Sequence, residues 1–215
     1  MRILFLNPNS TGAMTESIVA IAEAANPDVE VFGWTNHDGP PAIEGADDGA
    51  AAVPGLLALL PKARDESADA IVIACFDDTG LAEVRAAAHC PVIGIGQSAF
   101  VAAQLLGHRF SVVTTLDASV PVIEGNIAAH GFDTACTSVR ASGLPVLVVE
   151  EGSEATRARL ADEVRAAAAE GASAVLLGCA GMAGLREDLI TRTGVPLIDG
   201  VAAAAQFAAA LARLA

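Results

Sequence analysis

Long apolar runs, nucleotide-binding loops, metal-ligand clusters and basic patches are all missing from this chain of 215 residues. No segment approaches the ~18 consecutive apolar residues a membrane span requires. The opening Met1-Arg-Ile-Leu-Phe-Leu-Asn7 is too short in apolar residues for the core of a signal peptide. A cytosolic location with no membrane partner is therefore expected. Twelve Lys and Arg stand against 26 Asp and Glu, a net charge of −14, and the basic residues do not gather. Nucleic acid would meet repulsion over most of the surface, and a neutral small molecule is an easier ligand than an anion. The four cysteines are too few for a disulfide framework. They form no CxxC, and no HxxxH accompanies them, so no metal is expected. There is no P-loop and no GxSxG elbow, and Gly94-Ile-Gly96 lacks the third glycine and the early position of a dinucleotide fingerprint.

What the chain does contain is one pattern written twice. Ser67-Ala-Asp-Ala-Ile-Val-Ile-Ala-Cys75-Phe-Asp-Asp-Thr-Gly80-Leu81 matches Gly171-Ala-Ser-Ala-Val-Leu-Leu-Gly-Cys179-Ala-Gly-Met-Ala-Gly184-Leu185 at a constant offset of 104 (179 − 75). In both copies an apolar run ends in Cys, with Gly-Leu five residues later, so each Cys is expected to end a buried strand and face a loop. The match extends to Cys90-Pro-Val-Ile93 against Val195-Pro-Leu-Ile198. Upstream, Arg2-Ile-Leu-Phe-Leu-Asn7 matches Arg109-Phe-Ser-Val-Val-Thr114. Two units of this size indicate a duplication rather than a solenoid. Two lobes are expected, the first over 1–96 with a C-terminal helix 200–215 packing back on it, the second over 97–199.

Apolar runs alternate with helical patterns along the whole length, the mark of βαβ units and parallel sheets, and hence of an α/β fold. Strands are predicted near 2–6, 29–33, 70–75, 91–94, 109–114, 136–139, 174–179 and 195–198. Helices are predicted near 12–25, 48–66, 80–88, 97–106, 119–130, 154–170, 183–192 and 200–214. The Gly- and Pro-rich stretch Gly33 to Gly45 reads as a long loop able to wall a site. Ligands bind parallel sheets at the strand C-termini, and the strand ends there carry Asn7, Cys75, Thr114 and Cys179. Lobes facing each other about a pseudo-twofold axis would bring the two cysteines to opposite sides of one cleft.

Two thiols flanking a ligand make a two-base site. One, as thiolate, removes a proton from a carbon beside a carbonyl, and the other, as thiol, delivers a proton to the opposite face. A free cysteine titrates near 8.5, so the thiolate needs stabilising, yet no Lys, Arg or His adjoins either Cys. Backbone N–H groups of the loops Phe76 to Gly80 and Ala180 to Gly184 are the remaining donors, for the thiolates and for an enolate oxygen alike. Cys90 and Cys136 lack the duplicated context and read as structural.

At these residues the chain resembles the Asp/Glu racemase superfamily, and within it the hydantoin racemase branch that includes allantoin racemases. The resemblance runs through Asn7-Pro-Asn-Ser-Thr11, Gly39-Pro-Pro-Ala-Ile-Glu44, Cys75-Phe-Asp-Asp-Thr-Gly-Leu81, Pro91-Val-Ile-Gly-Ile-Gly96, Val113-Thr-Thr-Leu116, Ser119-Val-Pro-Val-Ile-Glu124 and Leu177-Gly-Cys-Ala-Gly-Met182. It implies two α/β lobes, racemisation without a cofactor, a catalytic pair at Cys75 and Cys179, and a homo-oligomer. Carried over by position, Asn7, Thr114, Thr115, Gly178 and Gly181 would line the substrate pocket, with Phe76, Asp77, Gly80 and Ala180 beside the thiols.

Members similar to this chain usually have Cys-Phe-Gly-Asp-Pro-Gly, whereas Asp77 and Thr79 stand here in place of that Gly and Pro. A carboxylate beside the site would repel the carboxylates of an acidic amino acid. Asp77 and Asp78 have a second reading as helix-start residues, Glu44 one as a solvated charge, and Asn7 one as part of a turn and cap. The expected activity is racemisation of a 5-substituted hydantoin or a ureide such as allantoin. The rivals are an amino-acid racemase, a one-cysteine decarboxylase or isomerase of the same superfamily, and a two-lobed binding protein without catalysis.

Overall fold

The structure, a computed structural model, describes all 215 residues. Eight strands form two four-stranded parallel sheets. The first holds β1 (Arg2–Asn7), β2 (Glu30–Thr35), β3 (Ala70–Ile73) and β4 (Val92–Gly94) in the order β2-β1-β3-β4. The second holds β5 (Phe110–Thr114), β6 (Cys136–Ala141), β7 (Ala174–Leu177) and β8 (Leu197–Asp199) in the order β6-β5-β7-β8. The two orders are the same permutation, so the duplication seen in the sequence is a duplication of topology. The helices are α1 (Gly12–Ala25), α2 (Ala46–Asp65), α3 (Leu81–Ala87), α4 (Ile95–Leu105), α5 (Val120–Ala129), α6 (Val146–Glu151), α7 (Glu154–Ala169), α8 (Arg186–Thr193) and α9 (Gly200–Ala212).

Every predicted strand is present, and three differences from the prediction bear on the site. β2 runs on to Thr35, shortening the loop before α2. β3 and β7 stop at Ile73 and Leu177, so both cysteines lie two residues past a strand, in the loops, rather than at its last position. The helix expected from 183 is a 3-10 segment, Ala180–Leu185, followed by α8. One element was not anticipated. Val146-Leu-Val-Val is β-branched enough to resemble a strand, yet it forms α6, because Pro145 (φ −59) leads in and left-handed Gly152 (φ 59) leads out. Val146 and Val149 then share the buried face at helical spacing.

Side-chain alternation along the inner strands of the first sheet divides its residues between two cores. Ile3 and Phe5 of β1 and Ala70 and Val72 of β3 face a large core of 42 buried residues that continues through the second sheet. Leu4, Leu6, Ile71 and Ile73 face a smaller one under α2 and α3. The halves are therefore welded along one sheet face. At the weld, Phe100 of α4 stands 5.7 Å from Phe76, 5.8 Å from Phe110 and 5.9 Å from Phe132, measured between ring centroids. Although α9 follows β8 of the second sheet, it packs against α1 and α4 and touches β1, β3 and β4. Asn26 also donates to the Ala205 carbonyl of α9 at 3.1 Å.

Because Phe100 is fully buried among aromatic rings from both halves, Phe100→Ala should lose about 3–5 kcal/mol of stability. Urea unfolding followed by circular dichroism measures the loss. Both halves should melt in one shifted transition, and two separated transitions would show that the halves fold independently.

Candidate active site

The C-terminal ends of β1, β3, β5 and β7 open on one small cleft, and both Cys75 and Cys179 form part of its wall. The loops that present them begin alike. The Asp78 N–H donates to the Cys75 carbonyl at 3.0 Å, and the Met182 N–H, at the matching place, donates to the Cys179 carbonyl at 3.0 Å. They then diverge. The first passes through two left-handed residues, Asp78 (φ 49) and Gly80 (φ 69), before α3, while the second enters the 3-10 segment directly. Gly178 lets the second loop lie against β5, since a Cβ there would come within 2.7 Å of the Val113 carbonyl oxygen and 3.0 Å of the Thr114 Cα. Thr114 Oγ1 ties the same contact by donating to the Gly178 carbonyl at 3.0 Å.

Of the residues singled out from the sequence, the cleft brings together Cys75, Phe76, Asp77, Thr115, Gly178, Cys179 and Ala180. Asn7, Thr114, Gly80 and Gly181 stand behind or beside the wall. Asn7 is saturated by its own turn: Nδ2 donates to Asn9 Oδ1 (2.9 Å) and Thr15 Oγ1 (3.0 Å), and Oδ1 accepts the Asn9 N–H (3.1 Å). With its amide hydrogens used and its side chain buried, Asn7 stays behind the wall, and it is Asn9 that reaches the cleft. Gly80 takes the left-handed position before α3, and Gly181 lies against Glu150, whose Oε2 is 2.8 Å from where a Cβ would be. Asn9, Met14, Ile43, Ala74, Ser119 and Val146 complete the wall. Asn9, Ile43, Ala74 and Ser119 lie within the motifs that carry the resemblance or the duplication, whereas Met14 and Val146 carry no signal of their own in the sequence. None of the four histidines lines the cleft.

The carboxylates have separate tasks. Asp78 accepts the Gly96 N–H (2.9 Å) and the Gln97 N–H (2.7 Å), capping α4 rather than the helix of its own loop. Gly94 and Gly96 make room for it, because a Cβ on Gly94 would fall 1.9 Å from Asp78 Oδ1. Asp77 turns toward the second half, its Oδ2 accepting Ser119 Oγ at 3.1 Å and its carbonyl accepting Asn126 Nδ2 at 2.8 Å. Burial lifts the Asp77 carboxyl to about 7, partly opposed by Ser119. Glu44 is not simply a solvated charge: it accepts the Val146 N–H at 2.8 Å, tying the loop before α2 to α6 of the other half.

The surroundings push both thiols toward their neutral forms. Burial first, and then the negative charge of Asp77, push Cys75 far up, against the Thr79 hydroxyl, which donates to its sulfur at 3.5 Å, and the Asp77 N–H. Burial pushes Cys179 up to about 12, against the Gly181 N–H, with Asp77, Glu150 and Glu44 adding to the rise. No Lys, Arg or His side chain lines the cleft. The donors that favour thiolates are thus backbone N–H groups two residues past each cysteine, joined at Cys75 by one hydroxyl. Proline at position 79 could not supply that hydroxyl.

Removing the Asp77 charge should make Cys75 more acidic, because a neighbouring anion opposes its ionisation. In Asp77→Asn, the rise of thiolate ultraviolet absorbance with pH, read on a Cys179→Ser background, should move to lower pH. In Thr79→Val it should move to higher pH. Unchanged titration in both variants would show that neither side chain acts on the sulfur.

A family model described as Asp/Glu/Hydantoin racemase matches residues 3–208. A hydantoin racemase of Rhizobium meliloti is 45% identical over 98% of this chain and 88% of its own length. Among solved structures, an allantoin racemase from Klebsiella pneumoniae superposes with a TM-score of 0.93 at 38% identity, covering 100% of this chain and 88% of that one. The allantoin racemase from Pseudomonas fluorescens gives 0.94 at 38% identity, covering 100% and 92%. The duplicated sheets, the cleft between their strand ends and these likenesses agree: the chain belongs to the Asp/Glu/hydantoin racemase family.

Proposed function

We propose that the protein racemises 5-substituted hydantoins or a related ureide such as allantoin without a cofactor, using Cys75 and Cys179 as opposed acid and base. The observation that carries the proposal is the pair of thiols delivered by matching loops of two duplicated sheets to one small cleft. One thiolate takes the proton from the carbon next to a ring carbonyl, the electron pair moves toward the carbonyl oxygen as an enolate, and the other thiol protonates the opposite face. Configuration inverts, and the proton count of the pair is conserved. At neutral pH, on the order of 7 kcal/mol separates thiol from thiolate for a group titrating at about 12. The reacting carbon must therefore already be acidified, as it is beside an amide carbonyl. The N–H groups of Asp77 and Gly181 support the thiolates.

The carboxylates at and around the cleft favour a neutral ring over an amino acid. Asp77 is in the wall, and Glu44 and Glu150 are close enough to act on Cys179. A substrate carboxylate placed there would meet like charge with no cation in the wall to offset it. No helix is long and apolar enough to cross a membrane, and we place the enzyme in the cytoplasm as a homo-oligomer.

Each enantiomer of 5-benzylhydantoin, and separately of allantoin, incubated with the enzyme in D₂O should lose optical rotation while deuterium replaces the carbon-bound proton, faster than in protein-free controls. Cys75→Ser and Cys179→Ser should each reduce racemisation by about 10²–10⁴-fold. Full activity in either variant would exclude the two-thiol pair, and no acceleration by the wild type would exclude the substrate class.

A further inference from the structure

Each turnover of a two-thiol racemase leaves the pair inverted. The thiolate that took a proton is now a thiol, and the thiol that gave one is now a thiolate. Before the same enantiomer can react again, a proton must leave one sulfur and another must reach its partner. Few groups in the cleft could move them. Cys179 is only 9% exposed, and no His, Lys or Arg side chain lines the wall.

Asp77 stands at the boundary between this cleft and the outside. It lines the inner cleft together with both cysteines, and it also lines an outer, more open pocket that includes Gly49, Thr79 and Glu83. Its residue is 8% exposed. Ser119 fixes Oδ2 and Asn126 fixes the main chain, while Oδ1 makes no hydrogen bond within the protein. The buried side-chain oxygens sealed without a partner are Thr137 Oγ1 and Glu150 Oε2, so Asp77 Oδ1 keeps contact with open space. Thr79 belongs to the same outer pocket and donates to Cys75 Sγ. The second half has no counterpart: the places matching Asp77 and Thr79 are Gly181 and Ala183, and the nearest carboxyl there, Glu150, has Oε2 sealed against Gly181.

We propose that Asp77 is the proton relay that resets the thiol pair between turnovers, with Thr79 holding the Cys75 thiolate as the proton leaves. The role rests on Cys75 and Cys179 being the two bases. The Cys75 S–H bond breaks as the Asp77 carboxylate takes its proton, and the Thr79 hydroxyl hydrogen-bonds the thiolate that remains. The carboxylic acid then gives the proton to the Cys179 thiolate, or releases it to water in the outer pocket while Cys179 is reprotonated from solvent. No electron changes hands. Ser119 donates to the relay carboxyl, and the charge of that carboxyl acts in turn on Cys75, Asp78 and Cys179. A carboxyl lifted to about 7 populates both protonation states near neutral pH, which a relay between two reluctant thiols needs.

Counter-transport of label tests the relay apart from the chemistry. A trace of racemic ¹⁴C-labelled hydantoin is mixed with one unlabelled enantiomer at saturating concentration, and the label is followed as the unlabelled reaction proceeds. When the free-enzyme forms interconvert quickly the label stays racemic, and when they interconvert slowly it is driven transiently off balance. The wild type should hold the label racemic. In Asp77→Asn and Asp77→Ala the interconversion should slow by about 10²-fold or more, giving a clear transient excess. Added formate should abolish that excess in Asp77→Ala, and Asp77→Glu should restore the wild-type pattern. A label that stays racemic in active Asp77→Asn and Asp77→Ala would overturn the relay, as would an excess already present in the wild type. Absent racemisation by the wild type, or full racemisation by a Cys→Ser variant, would instead overturn the two-thiol mechanism itself.

Discussion

The continuous apolar core joining the two sheets is the constraint on which the site depends. Each sheet alone would present one cysteine at its strand ends. Only because one face of the first sheet and the second sheet share a single core do those ends face each other across a cleft. Phe76 makes the dependence direct, since it follows Cys75 in the chain, lines the cleft, and packs edge-on against Phe100 at the weld. Asp78 adds a polar fastening by capping α4, the helix that carries Phe100. Packing that stabilises the fold therefore also sets where the first thiol stands, and loosening it at Phe100 would disturb the site as well as the stability.

The same burial that builds the site works against its chemistry. Desolvation is the largest influence on both thiols and on Asp77, and in every case it disfavours the charged form. A cleft whose wall holds no cation gives the thiolates only the dipoles of the loop backbones and, at Cys75, the Thr79 hydroxyl. Such dipoles act more strongly in a dry site than in water and need no reorganisation as charge develops. Desolvation thus makes each thiolate harder to form, and the fixed dipoles work against that cost.

Much of this could be read from the chain, for identifiable reasons. Buried parallel strands are short apolar runs, and a duplication repeats them at a fixed offset, so the strands and the pairing of Cys75 with Cys179 were legible. The use made of each polar side chain was not. Asn7 occupies the strand end that suggested a pocket role, yet its amide is spent on Asn9 and Thr15. Asp77 and Asp78 are adjacent and identical in type, and only the backbone turn sends one to α4 and the other to the cleft. Helix α6 was hidden because β-branched residues mask a helix whose formation depends on Pro145, Gly152 and tertiary packing. It mattered, because it contributes Val146 to the cleft and donates that residue's N–H to Glu44 of the first half.

Where the duplicated halves have diverged, the thiols have become unequal. Cys75 has a hydroxyl from Thr79 and a carboxyl from Asp77 at places where Cys179 faces only Ala183 and Gly181. In the proposed two-thiol mechanism the bases therefore ionise with different ease, and the steps that begin from each enantiomer have different barriers. Thermodynamics limits how far this difference can show. Two enantiomers in an achiral solvent have equal free energy, so kcat/KM must be the same in both directions whatever the environments of the thiols. The asymmetry can appear only as paired changes in kcat and KM, that is, in how the bound states are stabilised relative to one another. A substitution at Asp77 or Thr79 that changed kcat for one enantiomer more than for the other would have to change KM in the same proportion. Which enantiomer is held more tightly is a property of the bound states, and the polar side chains of one lobe cannot alter which is favoured at equilibrium.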